Sequence, residues 1–206
     1  MTPRPIIDAG PALNFLSINK ERLLSSVTGP ISTPETVRNE VFAKSGRDPR
    51  FTAVEKVWKK IPAKWLKVLP DDPAPELLAA LERISQQPWG QRLATAQDLG
   101  ETMVVAHAVV LAEAGQRVTV IIDGRGGAEL ATNENRRPAR LRGAGLPYGS
   151  IAFVNTPTIL EKAAGGQYLP NKESMREVYE RLRGCDDGLL PIKHTRLLST
   201  EVWRRP

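Results

Sequence analysis

The strongest indication of the fold of this 206-residue chain is the stretch Val-Thr-Val-Ile-Ile-Asp at residues 118–123. A β-branched run without alternating polar positions is typical of a strand buried on both faces, as in parallel sheets covered by helices. Asp123 directly follows this run, and Asp8 directly follows a second apolar run, Pro5-Ile-Ile. Because ligands bind at the carboxyl ends of parallel strands, the two aspartates are expected to face one site.

Short apolar runs alternate with helical patterns along the whole chain, which predicts an α/β fold with a mainly parallel sheet. Further strands are expected at 29–33, 65–69 and 150–154, and helices at 12–24, 34–45, 51–61, 74–84, 98–115, 157–164 and 172–183. Thr33-Pro34-Glu35 predicts a helix start with Thr33 as the N-cap. One domain is expected over 1–206, with a basic Gly/Arg-rich loop at about 132–149 and an unassigned C-terminal tail at about 186–206.

Composition indicates a soluble cytoplasmic protein with a polyanionic partner. The formal net charge of +6 favours RNA, DNA or an acidic protein. The single cysteine, Cys185, has no intramolecular partner, which favours a reducing compartment. No secretory signal is recognised, and the most apolar run, Met103–Ala114, is too short to span a bilayer, so no membrane association is expected.

Two glutamates occupy informative positions on predicted helices. Glu40 lies beside Val37 and Val41 on the flank of an apolar stripe, and Glu101 heads another such stripe. A carboxylate that points into an apolar interface needs a compensating cation, either an arginine or a metal ion.

Three of the four acids also have a purely structural explanation. Asp8 and Asp123 could be turn residues. Glu101 follows Asp98 with the spacing of a capping box and could bond back to the Asp98 amide. Taken together, however, two strand-end aspartates and two inward glutamates match the oxygen ligands that Mg²⁺ or Mn²⁺ requires. Such a site activates water and binds phosphate oxygens.

The order and surroundings of these acids resemble the PIN-domain family, and most of all its VapC-like toxin ribonucleases. The resembling segments extend to about residue 183. They are Ile6-Ile-Asp8-Ala-Gly-Pro-Ala-Leu-Asn14-Phe-Leu, Ser32-Thr-Pro-Glu-Thr-Val-Arg-Asn-Glu40-Val, Asp98-Leu-Gly-Glu101, Ala106–Ala112, Val120–Ala131 and Val154–Ala163.

The resemblance implies a three-layer α/β/α sandwich and Mg²⁺- or Mn²⁺-dependent cleavage of RNA. It places the family's four acids, as catalytic residues and metal ligands, on Asp8, Glu40, Glu101 and Asp123, with Asn14 and Asp98 beside them. It also implies the toxin of a type II toxin–antitoxin pair, bound by a small antitoxin protein. Homodimers are common among the proteins it resembles, so a second copy of the chain is a further candidate partner.

Arginines crowd the segment after Asp123, at positions Arg125, Arg136, Arg137, Arg140 and Arg142. If this segment borders the site, these side chains hold RNA phosphates, and binding weakens with added salt. An equally weighted alternative is a solvated loop whose charge serves solubility.

Two other function classes stay open. A non-catalytic PIN-fold module would bind RNA or protein without cleavage. It is favoured by Gly10, where relatives often have a hydroxyl residue, and by Gly124, where they often have a second acid. A phosphatase also uses strand-end aspartates, but no second acid follows Asp8 two residues on.

Overall fold

A parallel sheet of five strands lies at the centre of the part of the chain that the computed structural model describes, residues 3–143, 145 and 147–204 without the side chains of Arg125, Pro138, Leu141 and Arg142. The strands are β1 (Ile6–Ile7), β2 (Ile31–Pro34), β3 (Leu66–Leu69), β4 (Arg117–Ile121) and β5 (Ser150–Val154). Their order is β3-β2-β1-β4-β5, and every pair is parallel. The apolar run at 118–122 therefore contributes β4, the neighbour of β1.

Helices connect the strands and cover the sheet, which confirms the predicted α/β/α architecture. They are α1 (Ala9–Ser17), α2 (Glu21–Thr28), α3 (Glu35–Arg47), α4 (Val54–Trp58), α5 (Pro75–Ser85), α6 (Trp89–Ala94), α7 (Leu99–Glu113), α8 (Arg125–Gly143), α9 (Thr156–Ala163), α10 (Lys172–Arg183) and α11 (Thr200–Trp203). Short 3₁₀ helices lie at Pro49–Phe51 and Ile192–His194. None of the helices in the described ranges is long and apolar enough to cross a membrane.

Helix α7 is the central helix of the fold. It packs across β1, β2, β4 and β5 and also contacts α3, α5 and α8. Val104, Val105 and Ala108 are completely buried in this contact, as a helix surrounded on most sides requires. Because α7 touches both the sheet and α3, the position of its first turn is fixed relative to the ends of the strands.

The prediction of a loop at 132–149 is wrong over residues 132–143, which belong to helix α8, whereas 147–149 are non-helical as expected. Good helix formers flank Pro138, and the ion pairs Arg83–Glu134 and Arg137–Glu113 hold the helix against its neighbours. The Asn135 side chain accepts a hydrogen bond from the Ile151 amide at 3.0 Å. Tertiary contacts therefore maintain a helix that a proline and local composition made difficult to predict.

The start of α3 also differs from the prediction. Thr33 is a buried strand residue whose hydroxyl donates to the Ile7 carbonyl at 3.0 Å, so it is not the N-cap. The first turn is instead capped by Asp71, whose carboxylate accepts from the Thr36 amide at 2.6 Å. The other oxygen of Asp71 lies 2.8 Å from His107 Nε2 on α7. A residue that follows β3 thus links α3 to α7.

The C-terminal tail, left unassigned from sequence, packs back onto the fold. Leu189 and Leu197 are buried, and the Trp203 indole donates to the Leu197 carbonyl at 2.7 Å. The Tyr179 hydroxyl donates to the Leu190 carbonyl at 2.8 Å. These contacts place the segment after α10 beside the carboxyl ends of the strands.

Asp71→Asn should lower the free energy of unfolding by about 1–3 kcal/mol at pH 7. An asparagine has one acceptor oxygen and no negative charge, so if it keeps the Thr36 bond it can meet His107 only through its NH₂ group, and only when Nε2 carries no proton. Burial raises the pKa of Asp71, but the hydrogen bonds with His107 and Thr36 outweigh it and lower the pKa. The stabilisation should therefore be lost as the pH falls below about 4.

Urea denaturation of the wild type and of this variant at several pH values measures the effect. Asp72→Asn is the matched control, because this exposed neighbour should change the unfolding free energy by less than about 0.5 kcal/mol. Equal stabilities of the two variants at pH 7 would contradict the capping role of Asp71.

Candidate active site

A cleft of about 610 Å³ opens at the carboxyl ends of β1 and β4. All four acids predicted from the sequence line it, and Asp98 lies on its wall. Asp186, from the C-terminal segment, is a further acid in the lining. The sequence analysis did not select this residue, although the two consecutive acids Asp186-Asp187 before Gly188 were a signal for it.

Asp8 is the most buried acid of the cleft, with 6% of its surface exposed. It directly follows β1, and its amide donates to the Ile121 carbonyl of β4 at 3.0 Å. Within the described part of the chain, Asp8 Oδ1 accepts no hydrogen bond. Burial raises the pKa of Asp8 to about 7, against the nearby amides of Ala9 and Gly10, and the charges of Glu40 and Glu101 raise it further.

Glu40 reaches the same region from α3. A Cβ atom on Gly100 would lie 2.6 Å from Glu40 Oε2 and 3.5 Å from Asp8 Oδ1, so the two carboxylates converge on one glycine of α7. The other oxygen of Glu40 forms an ion pair with Lys44 at 2.9 Å, and 36% of the Glu40 side chain is exposed. Glu40 is thus anchored on one side and adjoins Asp8 on the other.

Glu101 lies against the glycine-rich first turn of α8. A Cβ atom on Gly124 would overlap Glu101 Oε1, and a Cβ atom on Gly127 would come within 3.2 Å of Oε2. Burial raises the pKa of Glu101, as does the charge of Asp98, while a hydrogen bond from the Gly127 amide lowers it. A helix N-terminus favours an anion, so α8 partly compensates this carboxylate.

The capping-box interpretation of Glu101 does not hold. Asp98 occupies the N-cap position of α7 in a left-handed conformation, with φ of 52°, and its side chain makes no capping hydrogen bond. Asp98 is exposed on the cleft wall.

Asp123 is held by hydrogen bonds. Its Oδ1 accepts from the Thr156 amide at 2.7 Å, and its Oδ2 accepts from the Thr156 hydroxyl at 2.6 Å. Asn14 donates from Nδ2 to the same Oδ2 at 3.2 Å and to Asp186 Oδ2 at 2.7 Å. Burial raises the pKa of Asp123, the bonds from Thr156 oppose this, and the charge of Asp186 adds to it.

The acids therefore form two neighbouring groups. Asp8, Glu40 and Glu101 make the first, and Asp123 and Asp186 make the second. Gly10 joins the groups, because a Cβ atom there would lie 4.0 Å from both Asp8 Oδ2 and Asp123 Cβ. In the side-chain positions of the described residues, no three acidic, histidine or cysteine groups converge closely enough to hold one ion.

Arg136, Arg137 and Arg140 lie further along α8, away from the cleft. Gly127 touches Glu101, whereas Asn135 bonds Ile151 at the start of β5, the opposite end of the sheet. At 1.5 Å per residue, Arg136 and Arg140 lie roughly 14–20 Å along the axis from Gly127. Arg137 is paired with Glu113. The side chains of Arg125 and Arg142 are outside the described residues.

This arrangement concentrates negative charge in an open cleft with incomplete compensation. Carboxylate oxygens are the ligands that hard divalent cations prefer. An unpartnered buried oxygen on Asp8, with two further carboxylates nearby, fits a cation better than a structural salt bridge, because no arginine or lysine of the described residues bonds it.

Asp8→Asn should stabilise the folded chain at pH 8 in buffer with EDTA. In the wild type, the folded chain holds the Asp8 proton more tightly than the unfolded chain. The protonated Asp8 therefore stabilises the wild-type fold fully below pH 4, and this contribution is lost as the pH rises through about 7. Asparagine does not ionise, and the variant should gain up to roughly 4 kcal/mol over the wild type between pH 4 and pH 8.

Chemical denaturation across this pH range measures the difference. The control Asp187→Asn removes the same charge from a side chain that is 92% exposed and should change stability by less than about 0.5 kcal/mol. A difference between Asp8→Asn and the wild type that stays constant from pH 4 to pH 8 would refute the burial of an uncompensated carboxylate.

Comparisons of the chain with family models, with curated proteins and with solved structures found no match.

Proposed function

We propose that this chain is a divalent-cation-dependent nuclease that hydrolyses phosphodiester bonds in RNA. The observation that carries the proposal is the Asp8 carboxylate, which is buried at the end of β1 with Glu40 and Glu101 nearby and whose Oδ1 has no partner among the described residues. Binding a divalent cation would compensate this charge. In the absence of an ion, the buried carboxylate lowers the free energy of unfolding, which is common at functional sites.

Asp8, Glu40, Glu101 and Asp123 are the residues proposed to hold Mg²⁺ or Mn²⁺. When bound, such a cation supplies an activated water and neutralises charge on the scissile phosphate. The donor chemistry fits, because these acids offer carboxylate oxygens and line one cleft, in which Asp8 Oδ1 has no hydrogen-bond partner among the described residues.

The protein's own contribution is to position these groups. Asn14 and Thr156 orient Asp123 through hydrogen bonds. The Gly127 amide orients Glu101, and the ion pair with Lys44 orients Glu40. Preorganised carboxylates need less rearrangement when a substrate phosphate and a cation enter the cleft.

RNA is proposed as the substrate because of the positive net charge of +6 and the resemblance of the acidic motifs to PIN-domain ribonucleases. The same resemblance suggests the toxin of a type II toxin–antitoxin pair, acting in the cytoplasm and inhibited by a small antitoxin protein. Lys44 is a cation in the cleft lining and is placed to meet a phosphate near Glu40.

The second candidate function is a non-catalytic module that binds RNA or protein. One observation favours it: in the described residues the acids do not converge as a ready-made ion site. Gly124, by contrast, does not weaken the nuclease proposal, because the space of a side chain at this position is filled by the Glu101 carboxylate.

Purified wild-type chain should cleave total cellular RNA in the presence of Mn²⁺ and stop when EDTA is added. Asp8→Asn should reduce the initial rate by at least about a hundredfold, because it removes a ligand charge at the reacting phosphate. Its greater stability at pH 8 separates this loss from unfolding. Asp187→Asn should cleave at the wild-type rate. Absence of Mn²⁺-dependent cleavage by the wild type would favour the binding module.

Gly124→Ala should reduce cleavage by at least about tenfold while changing the free energy of unfolding by less than about 1 kcal/mol. The added Cβ overlaps Glu101 Oε1, and the flexible end of Glu101 can move away without disturbing the core. Gly126→Ala is the matched control, since its Cβ would lie 3.2 Å from Oε2 and requires a smaller movement. Equal activities of the two variants would show that the position of Glu101 is not important.

A further inference from the structure

Asp186 lies in the cleft although it comes from the tail that follows α10. We propose that Asp186 binds the divalent cation together with Asp123, as a fifth acid of the site. This inference rests on the proposed function. It assigns a ligand that the resemblance to PIN-domain sequences does not include, because that resemblance ends at about residue 183.

The hydrogen bonds leave different numbers of acceptor positions free on Asp123 and Asp186. An ionised carboxylate has about four acceptor positions. Among the described residues, Asp123 accepts three bonds, two from Thr156 and one from Asn14. From the same residues Asp186 accepts two, since Oδ1 accepts from the Gly188 amide at 2.9 Å and Oδ2 accepts from Asn14. Asp186 therefore retains more capacity to bind an ion than the acid that the sequence pattern selects.

Asn14 brings the two carboxylates together. It is 2% exposed, and its single Nδ2 group donates to Asp123 Oδ2 and to Asp186 Oδ2. One neutral amide cannot neutralise two like charges, and like charges this close repel unless a cation or a proton lies between them. Asn14 is thus a positioning residue for two acids whose negative charges it does not neutralise.

The unpartnered oxygen of Asp8 is the independent observation that points to a ligand in the same cleft. Asp8 is more than nine-tenths buried, and Oδ1 has no hydrogen-bond partner in the described chain. Its other oxygen and Asp123 Cβ lie equally far, 4.0 Å, from the Cβ position of Gly10. The group formed by Asp123 and Asp186 therefore lies in the same cleft as the Asp8 carboxylate, with Gly10 next to both.

The position of Asp186 is fixed by neighbouring contacts. Its amide donates to the Leu182 carbonyl at the end of α10 at 3.0 Å. On one side, the Ser17 hydroxyl of α1 lies 3.2 Å from Cys185 Sγ, and on the other, Asp187 is 3.3 Å from Arg50. The tail therefore presents Asp186 to the cleft and directs Asp187 outwards.

Isothermal titration of the full chain with MnCl₂ tests this assignment without relying on activity. Asp186→Asn should raise the dissociation constant for Mn²⁺ by at least about tenfold, a loss of the size seen when groups that support a metal site are removed. Asp187→Asn is the matched control. It removes the same charge one residue away from a side chain that points to solvent, and it should bind Mn²⁺ within about twofold of the wild type.

Equal affinities of the two variants would overturn the role of Asp186. The proposed function would survive that result if Asp8→Asn alone abolished binding and cleavage. Absence of Mn²⁺ binding by the wild type would overturn both proposals. If Asp186→Asn lacks a cooperative unfolding transition, Asp186→Glu and Asp187→Glu replace the pair. Tighter or equal binding by Asp186→Glu relative to Asp187→Glu would then count against the inference.

Discussion

Carboxylates gathered at the ends of β1 and β4 repel one another, and the surrounding structure has to hold them in place against that repulsion. Asp8 is the centre of this group, because it is buried and one of its oxygens has no partner in the described chain. Burying a charge without compensation is costly. The fold tolerates it because strand pairing fixes the Asp8 backbone, whose amide bonds Ile121 on the neighbouring strand. The sheet thus holds in place a side chain that electrostatics alone would expel.

Each neighbouring carboxylate receives partial compensation from a different source. Glu101 lies at the N-terminus of α8, Glu40 pairs with Lys44, and Asp123 accepts three hydrogen bonds. None of these partners is an arginine that neutralises the group as a whole. The glycine at position 124 is required by this arrangement, because the Glu101 carboxylate fills the space of its missing side chain. The partly compensated carboxylates lower the local stability of the fold, as is common at functional sites.

The helices that carry the glutamates are linked by contacts remote from the cleft. Asp71 caps α3 and bonds His107 on α7, so a single residue after β3 relates the helix of Glu40 to the helix of Glu101. The C-terminal segment contributes Asp186, Leu189 and Leu190 to the lining of the cleft. The geometry of the acids therefore depends on the segment after β3 and on the C-terminal segment. Both are distant from the acidic motifs in the sequence.

The fold class, most strands and helices, and the four acids that line one cleft could be predicted from the amino-acid sequence alone. Apolar periodicity and strand-end positions are local properties of the chain, so they can be read without the structure.

Prediction from the sequence failed where long-range contacts override local preference. Thr33 was predicted to cap a helix but belongs to a strand, since the capping carboxylate comes from Asp71. The arginine-rich segment was predicted to be a loop but forms α8, since Glu113 and Arg83 stabilise it from other helices. Only the tertiary structure could bring Asp186 to Asn14, because that contact joins residues 172 positions apart and its energy has no signature in the local sequence.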